Sequence, residues 1–365
     1  MNVELVKNNM LVVAFGTRPE LLKIEPLLKY WKSIGFNNFG IWLTGQHKEL
    51  CQDLLQNWEF KNKICIFHDI YQSSEYHVNR LDAIIYSILE AAEYWIRPGN
   101  HHSARFGNID SLLVQGDTAS AYACALAAFH RKIPIIHLEA GLRSYDNENP
   151  YPEEFYRRSI SMMASVNLCP TKENAVNLWV EKAPGTVHVV GNTILDFIRD
   201  TIPGKSNKVL CTLHRRENLT QIREWFSALD TLAKRYTEYE FILPIHKNPE
   251  IYKYKESFKF VKCIEPLEHI EFINILKDCA AIISDSGGVA EEGSWFKKPI
   301  FLCRKETERP EGEDFYIWTK TPEELSKANI SFWANDPFFQ TLSCPFGDGN
   351  SCEKITRTLK ELNYI

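Results

Sequence analysis

Three carboxylates stand where short apolar runs give way to polar loops. Asp117 follows "SLLVQG", Glu139 follows "IPIIHL", and Glu153 lies in "NPYPEE". Carboxylates that converge on one cleft raise one another's pKa, so an acid and a base are both available near neutral pH. The chemistry such a group serves is proton transfer. The stretch from His137 to Glu154, "HLEAGLRSYDNENPYPEE", also holds Asp146, Glu148 and Glu154. A charged surface loop is the competing reading of that stretch. For Asp117 the competing role is a helix N-cap, since Asp is a preferred cap. Glu139, directly after an apolar strand, has no comparably simple alternative.

A second set of residues suits an anion. In "GTRPE" (16–20), Gly16 permits a tight turn and Pro19 suits the first turn of a helix. The helix N-terminus then offers N–H groups, with Arg18 and Lys23 nearby, which makes an anion pocket. A plain strand–helix turn with solvated charges is the alternative. "SDSGG" (284–288) repeats the device with Ser286, Gly287 and Gly288, whose backbone can approach a diphosphate closely. Glu291 and Glu292 read as first-turn residues that favour the helix dipole, or meet ribose hydroxyls. "LHRREN" places His214 beside Arg215 and Arg216, and "PIHKNP" places His246 beside Lys247. "ETERPEG" adds Arg309. One strand-end histidine reads as a satisfied structural group. Two of them beside cations and a phosphate loop read as a site.

These residues need sheet edges to hold them. "NMLVVAF", "FGIWLTG", "SLLVQG", "IPIIHLEA", "VNLCPT" and "VHVVGN" read as buried strands. Helical periodicity runs through "RPELLKIEPLLKYWKS", "HKELCQDLLQNW", "VNRLDAIIYSILEAAEYWI" and "ASAYACALAAFH". Strands that alternate with helices predict a parallel, doubly wound sheet. The pattern restarts with "NKVLCTLH", "QIREWFSALDTLAKRY" and "YEFILPIH", and continues through "FVKCIEP", "FINILKDC", "AAIISDS", "AEEGSWFK" and "PIFLCR". The reading is α/β, with Rossmann-like domains over 1–190 and 191–350 and a C-terminal helix over 351–365 that packs back on the first. Ligands bind such folds beyond the carboxyl ends of the strands, in a cleft between the domains.

The totals agree with a globular enzyme of two domains. The chain has 365 residues, 44% apolar and 24% charged. A net charge of −5 argues against nucleic acid or an anionic membrane as the main partner. Ten cysteines are scattered, with no CxxC pair and no zinc-type spacing, so buried reduced thiols and no metal are expected. The first apolar run, of about six residues, is too short for a signal core or a membrane span. A cytoplasmic location is expected.

The ordered set "FGTRPELLKIEPLL", "QGDTASAYACALAAF", "IPIIHLEAGLRS", "NPYPEEFYRR", "GNTILDF", "LHRREN", "PIHKNP", "SDSGGVAEEGSWFKKPI" and "TERPEG" resembles the bacterial-type, non-hydrolysing UDP-N-acetylglucosamine 2-epimerases. It spans nearly the whole chain. The resemblance implies two Rossmann-like domains in a GT-B arrangement, UDP held mainly by the second, a UDP-sugar substrate, no cofactor and a homodimer. It implies acid–base roles for Asp117, Glu139 and Glu153, and a catalytic or phosphate-facing role for His214. Arg18, Lys23, Arg143 and His246 fall to the substrate. Ser286, Gly287 and Gly288 fall to the diphosphate, Glu292 to the ribose, and Arg309 to the UDP side. Gln46, in "TGQHKE", matches a region that contacts an allosteric substrate molecule in regulated members. Three segments depart from the family pattern. Tyr156 stands where the family has Asn, "FHDIYQSSEYHVNRL" (67–81) diverges, and "PGNHHSARFGN" (98–108) reads as an insertion.

The implied reaction is reversible inversion at C2 of a UDP-2-acetamido sugar. The C2 proton becomes acidic as the C1–O bond to UDP breaks, which leaves a glycal. Protonation from the opposite face and return of UDP give the epimer. Proton traffic on two faces needs more than one titratable group. Other readings use some of the same residues: a hydrolysing 2-epimerase, an epimerase of a modified UDP-sugar, a GT-B glycosyltransferase, or a non-catalytic nucleotide-sugar sensor. The "GQH" of 45–47 favours the non-hydrolysing type.

Overall fold

A computed structural model of the protein describes residues 10–46, 53–54, 56–66 and 109–365. The helix expected in "VNRLDAIIYSILEAAEYWI", the divergent 67–81 segment and the expected insertion at 98–108 lie outside the described residues. The chain divides into two compact units, Met1–Phe197 with Gly347–Ile365, and Ile198–Phe346.

The first unit is built from β1 (Leu11–Phe15), α1 (Arg18–Ser33), β2 (Phe39–Leu43), β3 (Ile64–Ile66), β4 (Ser111–Gln115), α2 (Ala119–His130), β5 (Ile135–Leu138), α3 (Glu153–Met163), β6 (Val166–Cys169), α4 (Lys172–Val180), β7 (Thr186–Val189) and α5 (Thr193–Ile198). Among the described residues its sheet has seven parallel strands, in the order β3-β2-β1-β4-β5-β6-β7. Strands β1, β2, β4, β5 and β6 are buried at every position, as a parallel sheet covered on both faces requires.

The second unit repeats the plan with β8 (Lys208–Thr212), α6 (Arg216–Leu219), α7 (Ile222–Arg235), β9 (Glu240–Pro244), β10 (Lys262–Ile264), α8 (His269–Leu276), β11 (Ala281–Ser284), α9 (Gly287–Trp295), β12 (Ile300–Leu302) and β13 (Tyr316–Trp318). Its six parallel strands run β10-β9-β8-β11-β12-β13. Trp225, Phe226, Leu229 and Leu232 of α7 pack against Phe241, Leu243 and Phe301 of this sheet.

The unit boundary falls after Phe197 rather than at residue 190, and the return falls at Gly347 rather than 351. The reason is α5. Its Leu195 is fully buried, and Thr193 donates its hydroxyl to the Lys23 carbonyl of α1. Asp196 then accepts the N–H groups of Ser351 (2.9 Å) and Cys352 (2.8 Å), the first residues of α10 (Ser351–Glu361). A carboxylate there satisfies orphan donors and favours the helix dipole. Cys352, Ile355 and Leu359 of α10 join the core around Trp31, whose indole N–H donates to Thr356 Oγ1 at 3.0 Å. Trp31→Ala would cost about 3–5 kcal/mol.

The short strands β3 and β13 and the helices α3 and α4 are not evident in the periodicity. In α3 the buried positions are Glu154, Tyr156, Arg157, Ile160 and Ser161. A buried face that is mostly polar conceals the helical stripe.

Candidate functional site

Each sheet reverses its strand order once, between β1 and β4 in the first unit and between β8 and β11 in the second. Doubly wound folds place ligand sites beyond the carboxyl ends of the strands that flank such a reversal. The loop after β1 leads into Arg18, the first residue of α1, and the loop after β4 carries Asp117. The loop after β8 carries His214 and the loop after β11 carries Ser286. Four of the expected site residues therefore sit at the two reversal points.

In the first unit the ladder between β4 and β5 ends on Gln115 opposite Leu138. Glu139 is the next residue along β5, and Asp117 follows two residues after Gln115. Glu139 has a φ of 65°, the left-handed region that a non-glycine residue adopts only where its surroundings hold it there. Its carboxylate takes the Lys23 ammonium on Oε1 and the Gln115 amide on Oε2. Lys23, expected to face a diphosphate, is thus engaged by a carboxylate of its own unit. Asp117 is held by Arg157 of α3, whose Nε donates at 3.0 Å and whose Nη2 donates to the same oxygen. Arg157 Nη1 reaches back to Glu154 Oε2 at 3.2 Å. Asp117 is not the N-cap of α2. Thr118 fills that position and accepts the Ala121 N–H at 3.0 Å.

The acidic stretch divides into distinct roles. Glu154 is fully buried and accepts the Ser144 and Tyr145 N–H groups at 3.0 and 3.1 Å. Asp146 and Glu148 are exposed, and the Asp146 carboxylate closes a turn on the Glu148 N–H at 2.9 Å. Glu153 is half-buried at the start of α3, next to the carboxylate that does the bracing. Tyr156, the departure from the family pattern, is buried and stacks on Tyr122 of α2, with centroids 4.7 Å apart and planes 12° apart.

The anion pocket expected at "GTRPE" is altered by Glu20. Thr17 caps α1 in a capping box, and Glu20 Oε2 accepts the N–H groups of Gly16 (3.0 Å) and Thr17 (2.8 Å). Glu20 Oε1 accepts the Thr118 hydroxyl at 2.7 Å. Burial pushes the Glu20 carboxyl up to about 7, against the opposing hydrogen bonds from Gly16, Thr118 and Thr17. Arg18 is exposed. His137, fully buried on β5, contacts the Gly116 carbonyl through Nε2 at 2.9 Å, and burial takes its pKa down to about 4. Gln46 Oε1 accepts from Ser120 N at 3.1 Å and from Ser120 Oγ at 2.6 Å. His47, which follows it, lies outside the described residues. Arg143, expected on the substrate, is buried and makes a bidentate pair with Glu181 at 2.9 and 2.8 Å, with Nη1 on its neighbour's carbonyl. That fork ties Arg143 to Glu181 at the end of α4.

In the second unit Asp285 plays the part of Glu20. It is fully buried, and its carboxylate accepts His214 N–H at 2.9 Å, Arg215 N–H at 2.9 Å and the Asn218 amide at 3.0 Å. His214 Nδ1 lies 3.6 Å from Asp285 Oδ1, and the ring stacks on His246, 5.1 Å away and 7° from parallel. Partial burial of the His246 ring lowers its pKa; His214 adds to this and Asp285 opposes it.

Ser286 is the N-cap of α9, without a side-chain cap bond. Glu291 and Glu292 are not in the first turn, because α9 starts at Gly287. Glu291 pairs with Arg309 Nε at 2.5 Å, and Glu292 with His269 Nε2 at 2.7 Å. A Cβ on Gly287 would lie 2.4 Å from Arg309 Nη1, whereas one on Gly288 would meet only Ser286 Oγ, at 4.0 Å. Arg309 is buried against Glu291 and Glu308, and Glu308 also takes Arg215 at 2.9 Å and Arg304 at 2.7 Å. The geometry makes Arg309 a post behind the loop.

Sequence reasoning missed Glu20, Gln115, Glu154, Arg157, His269, Asp285 and Glu308. Glu20 had a visible signal, the T-x-x-E capping box in "TRPE". Asp285 had another, a lone acid between a strand and "SGG". Among the described residues, no group of three or more His, Cys, Asp or Glu is placed to hold a metal ion, and no helix is long and apolar enough to cross a membrane.

A family model described as UDP-N-acetylglucosamine 2-epimerase matches residues 38–360. The UDP-N-acetylglucosamine 2-epimerase of Neisseria meningitidis is 30% identical over 379 residues, covering 95% of this chain and 98% of that protein. That of Bacillus subtilis is 30% identical over 393 residues, covering 97% and 96%. The crystal structure of the Neisseria meningitidis UDP-GlcNAc 2-epimerase bound to UDP-GlcNAc matches with a TM-score of 0.82 at 29% identity, over 96% of this chain and 100% of that one. The Methanocaldococcus jannaschii enzyme in complex with UDP-GlcNAc and UDP matches with a TM-score of 0.74 at 27% identity, over 96% and 99%. With its doubly wound units and its strand-end carboxylates, the chain belongs to the UDP-N-acetylglucosamine 2-epimerase family of enzymes.

Proposed function

We propose that the protein reversibly converts UDP-N-acetylglucosamine into UDP-N-acetylmannosamine, without hydrolysis, by elimination and re-addition of UDP. The observation that carries this reading is the pair of charged groups at neighbouring strand ends, Glu139 with Lys23 and Gln115, and Asp117 with Arg157. Two carboxylates held by separate cations keep separate orientations. Such a pair suits a reaction in which one group removes a proton and another delivers one. Glu153 is the third carboxylate of the proposed acid–base set.

The chemistry follows in order. Breaking C1–O leaves electron demand at C1 and acidifies the C2 proton. A carboxylate of the first unit removes it, and the electron pair forms the C1–C2 double bond as UDP departs. Ser286, Gly287 and Gly288 hold the departing diphosphate at the start of α9, where the N–H groups of the first helical turn and the helix dipole favour negative charge. Arg18 and His214 add positive or donor groups, and Glu292 meets the ribose. A proton added to C2 from the other face, with UDP returned to C1, gives the epimer.

The test is incubation with UDP-N-acetylglucosamine in deuterated water, read at C2 by NMR. The expected result is UDP-N-acetylmannosamine carrying deuterium at C2. Product without deuterium would overturn the elimination route. Free N-acetylmannosamine in step with free UDP would establish hydrolysis instead.

A further inference from the structure

One acidic side chain at the first reversal point has no part in the reaction as proposed above. Glu20 is fully buried, and it touches two loops at once. Oε2 accepts the Gly16 and Thr17 N–H groups of the loop after β1, and Oε1 accepts the Thr118 hydroxyl of the loop after β4. Arg18 is the residue after Thr17, and Asp117 is the residue before Thr118. We propose that Glu20 is a positioning residue for the reaction, fastening the loop that leads into Arg18 to the loop that carries Asp117. The proposal rests on the epimerase reading given above.

A helix cap alone does not require this geometry. The capping box of α1 is complete with Thr17 and Glu20. The bond to Thr118 spans 98 residues of sequence and serves the far loop. An ionised carboxylate suits three donors, whereas a protonated one places an O–H among them. Of these three groups only Thr118 Oγ1 can turn to accept that proton, on the lone pair that the Ala121 N–H leaves it. Protonation therefore loosens or reverses the link between the loops. Burial places this change near neutral pH, at about 7.

The titratable groups on the surrounding elements are engaged elsewhere. Burial, with the Glu20 charge added, pushes the Cys124 thiol of α2 far up, so it stays neutral. Lys23 and Glu139 hold each other, and Asp117 and Glu154 share Arg157. His137, held down to about 4, is also neutral across the working range.

The experiment measures kcat and KM for UDP-N-acetylglucosamine from about pH 5.5 to about 8.5, for the wild type, Glu20→Gln and Thr118→Ala. The wild-type kcat is expected to rise through a limb near pH 7 with little change in KM. Glu20→Gln copies the protonated acid, accepting on its oxygen and donating to Thr118. It is expected to lose that limb and to run about 10- to 100-fold below wild type near pH 8, the range a small misplacement of reacting groups produces. Thr118→Ala keeps the carboxylate and removes the bond between loops, so it covers the case in which Glu20→Gln does not fold. It is expected to lower kcat while UDP affinity stays unchanged.

A merely structural Glu20 would lower the melting temperature and leave the shape of the pH profile intact. Glu20→Gln with the wild-type rate and limb, or Thr118→Ala with unchanged kcat, overturns the proposal while the epimerase reading stands. A folded wild type that binds UDP and converts no UDP-N-acetylglucosamine overturns both.

Discussion

Lys23 and Glu139 lie 116 residues apart in the chain and meet as an ion pair at the carboxyl edge of the first sheet. The Glu139 backbone is in the left-handed region, so the residue is aimed at the cost of local strain. Strain of that kind persists where the surroundings fix it, and here they are Lys23 and Gln115. Glu139→Gln is expected to lower kcat by about 100-fold or more, the size of a lost acid–base group, with UDP affinity unchanged. Steady-state kinetics beside calorimetric UDP binding checks both halves. Near-normal turnover would remove Glu139 from the proton path.

Arg157 gives a second case. Its planar fork spans Asp117 and the buried Glu154, which a lysine ammonium on a flexible stem cannot do at once. Arg157→Lys is expected to reduce kcat by about 10- to 100-fold through misplacement of Asp117. It is also expected to lower the melting temperature, because Glu154 loses a partner in a buried site. A variant with wild-type kcat would show that Asp117 needs no help from α3.

The two glycines that open α9 separate packing from binding. Gly287→Ala pushes a methyl group into the Arg309 guanidinium and should cost about 1–3 kcal/mol of stability, the usual penalty of overpacking. Gly288→Ala meets only Ser286 Oγ, at 4.0 Å, an ordinary contact distance. It should fold normally and weaken UDP binding if the backbone there lies against the diphosphate. Thermal melts with and without UDP read both effects, since a ligand that binds only the folded state raises the melting temperature. An unchanged UDP response in Gly288→Ala would move the diphosphate off that residue.

What the sequence revealed depended on where apolar residues were. The buried strands β1, β2, β4, β5 and β6 stood out because a doubly covered parallel sheet is apolar throughout. Asp117, Glu139, His214 and the SGG loop stood out because each follows such a strand. Arg157 stayed hidden because α3 buries polar residues, so its periodicity is not apolar. Arg143 shows a related limit. Its partner Glu181 sits beyond α4, and no local pattern links the two. Gly287 was read as a glycine for the diphosphate, and the space a Cβ would need there is also taken by Arg309, brought in from a distant loop. Partners like these are fixed by tertiary contact, which single-chain spacing does not encode.

Glu20 and His137 are buried near the same reversal point, and their protonation works in opposite directions on stability. The folded protein keeps a proton on Glu20 up to about pH 7, whereas an unfolded glutamate loses it near 4.5. As pH falls from about 7 to 4.5, the folded state takes up a proton the unfolded state lacks, and it gains stability. His137 does the reverse. The unfolded imidazole takes a proton below 6.5, while the folded one refuses it until about 4, so acid costs stability over that window. Each slope is about 1.4 kcal/mol per pH unit, and between about pH 4.5 and 6.5 they oppose. Glu20→Gln removes one and His137→Gln the other. Relative to wild type, Glu20→Gln should lose stability as pH falls through that window, and His137→Gln should gain it, each by on the order of 3 kcal/mol across the full range. Denaturant unfolding at stepped pH measures this, because titrations common to all three proteins cancel in the differences. Differences that stay flat with pH in both variants would show that neither group carries a displaced proton affinity in the fold.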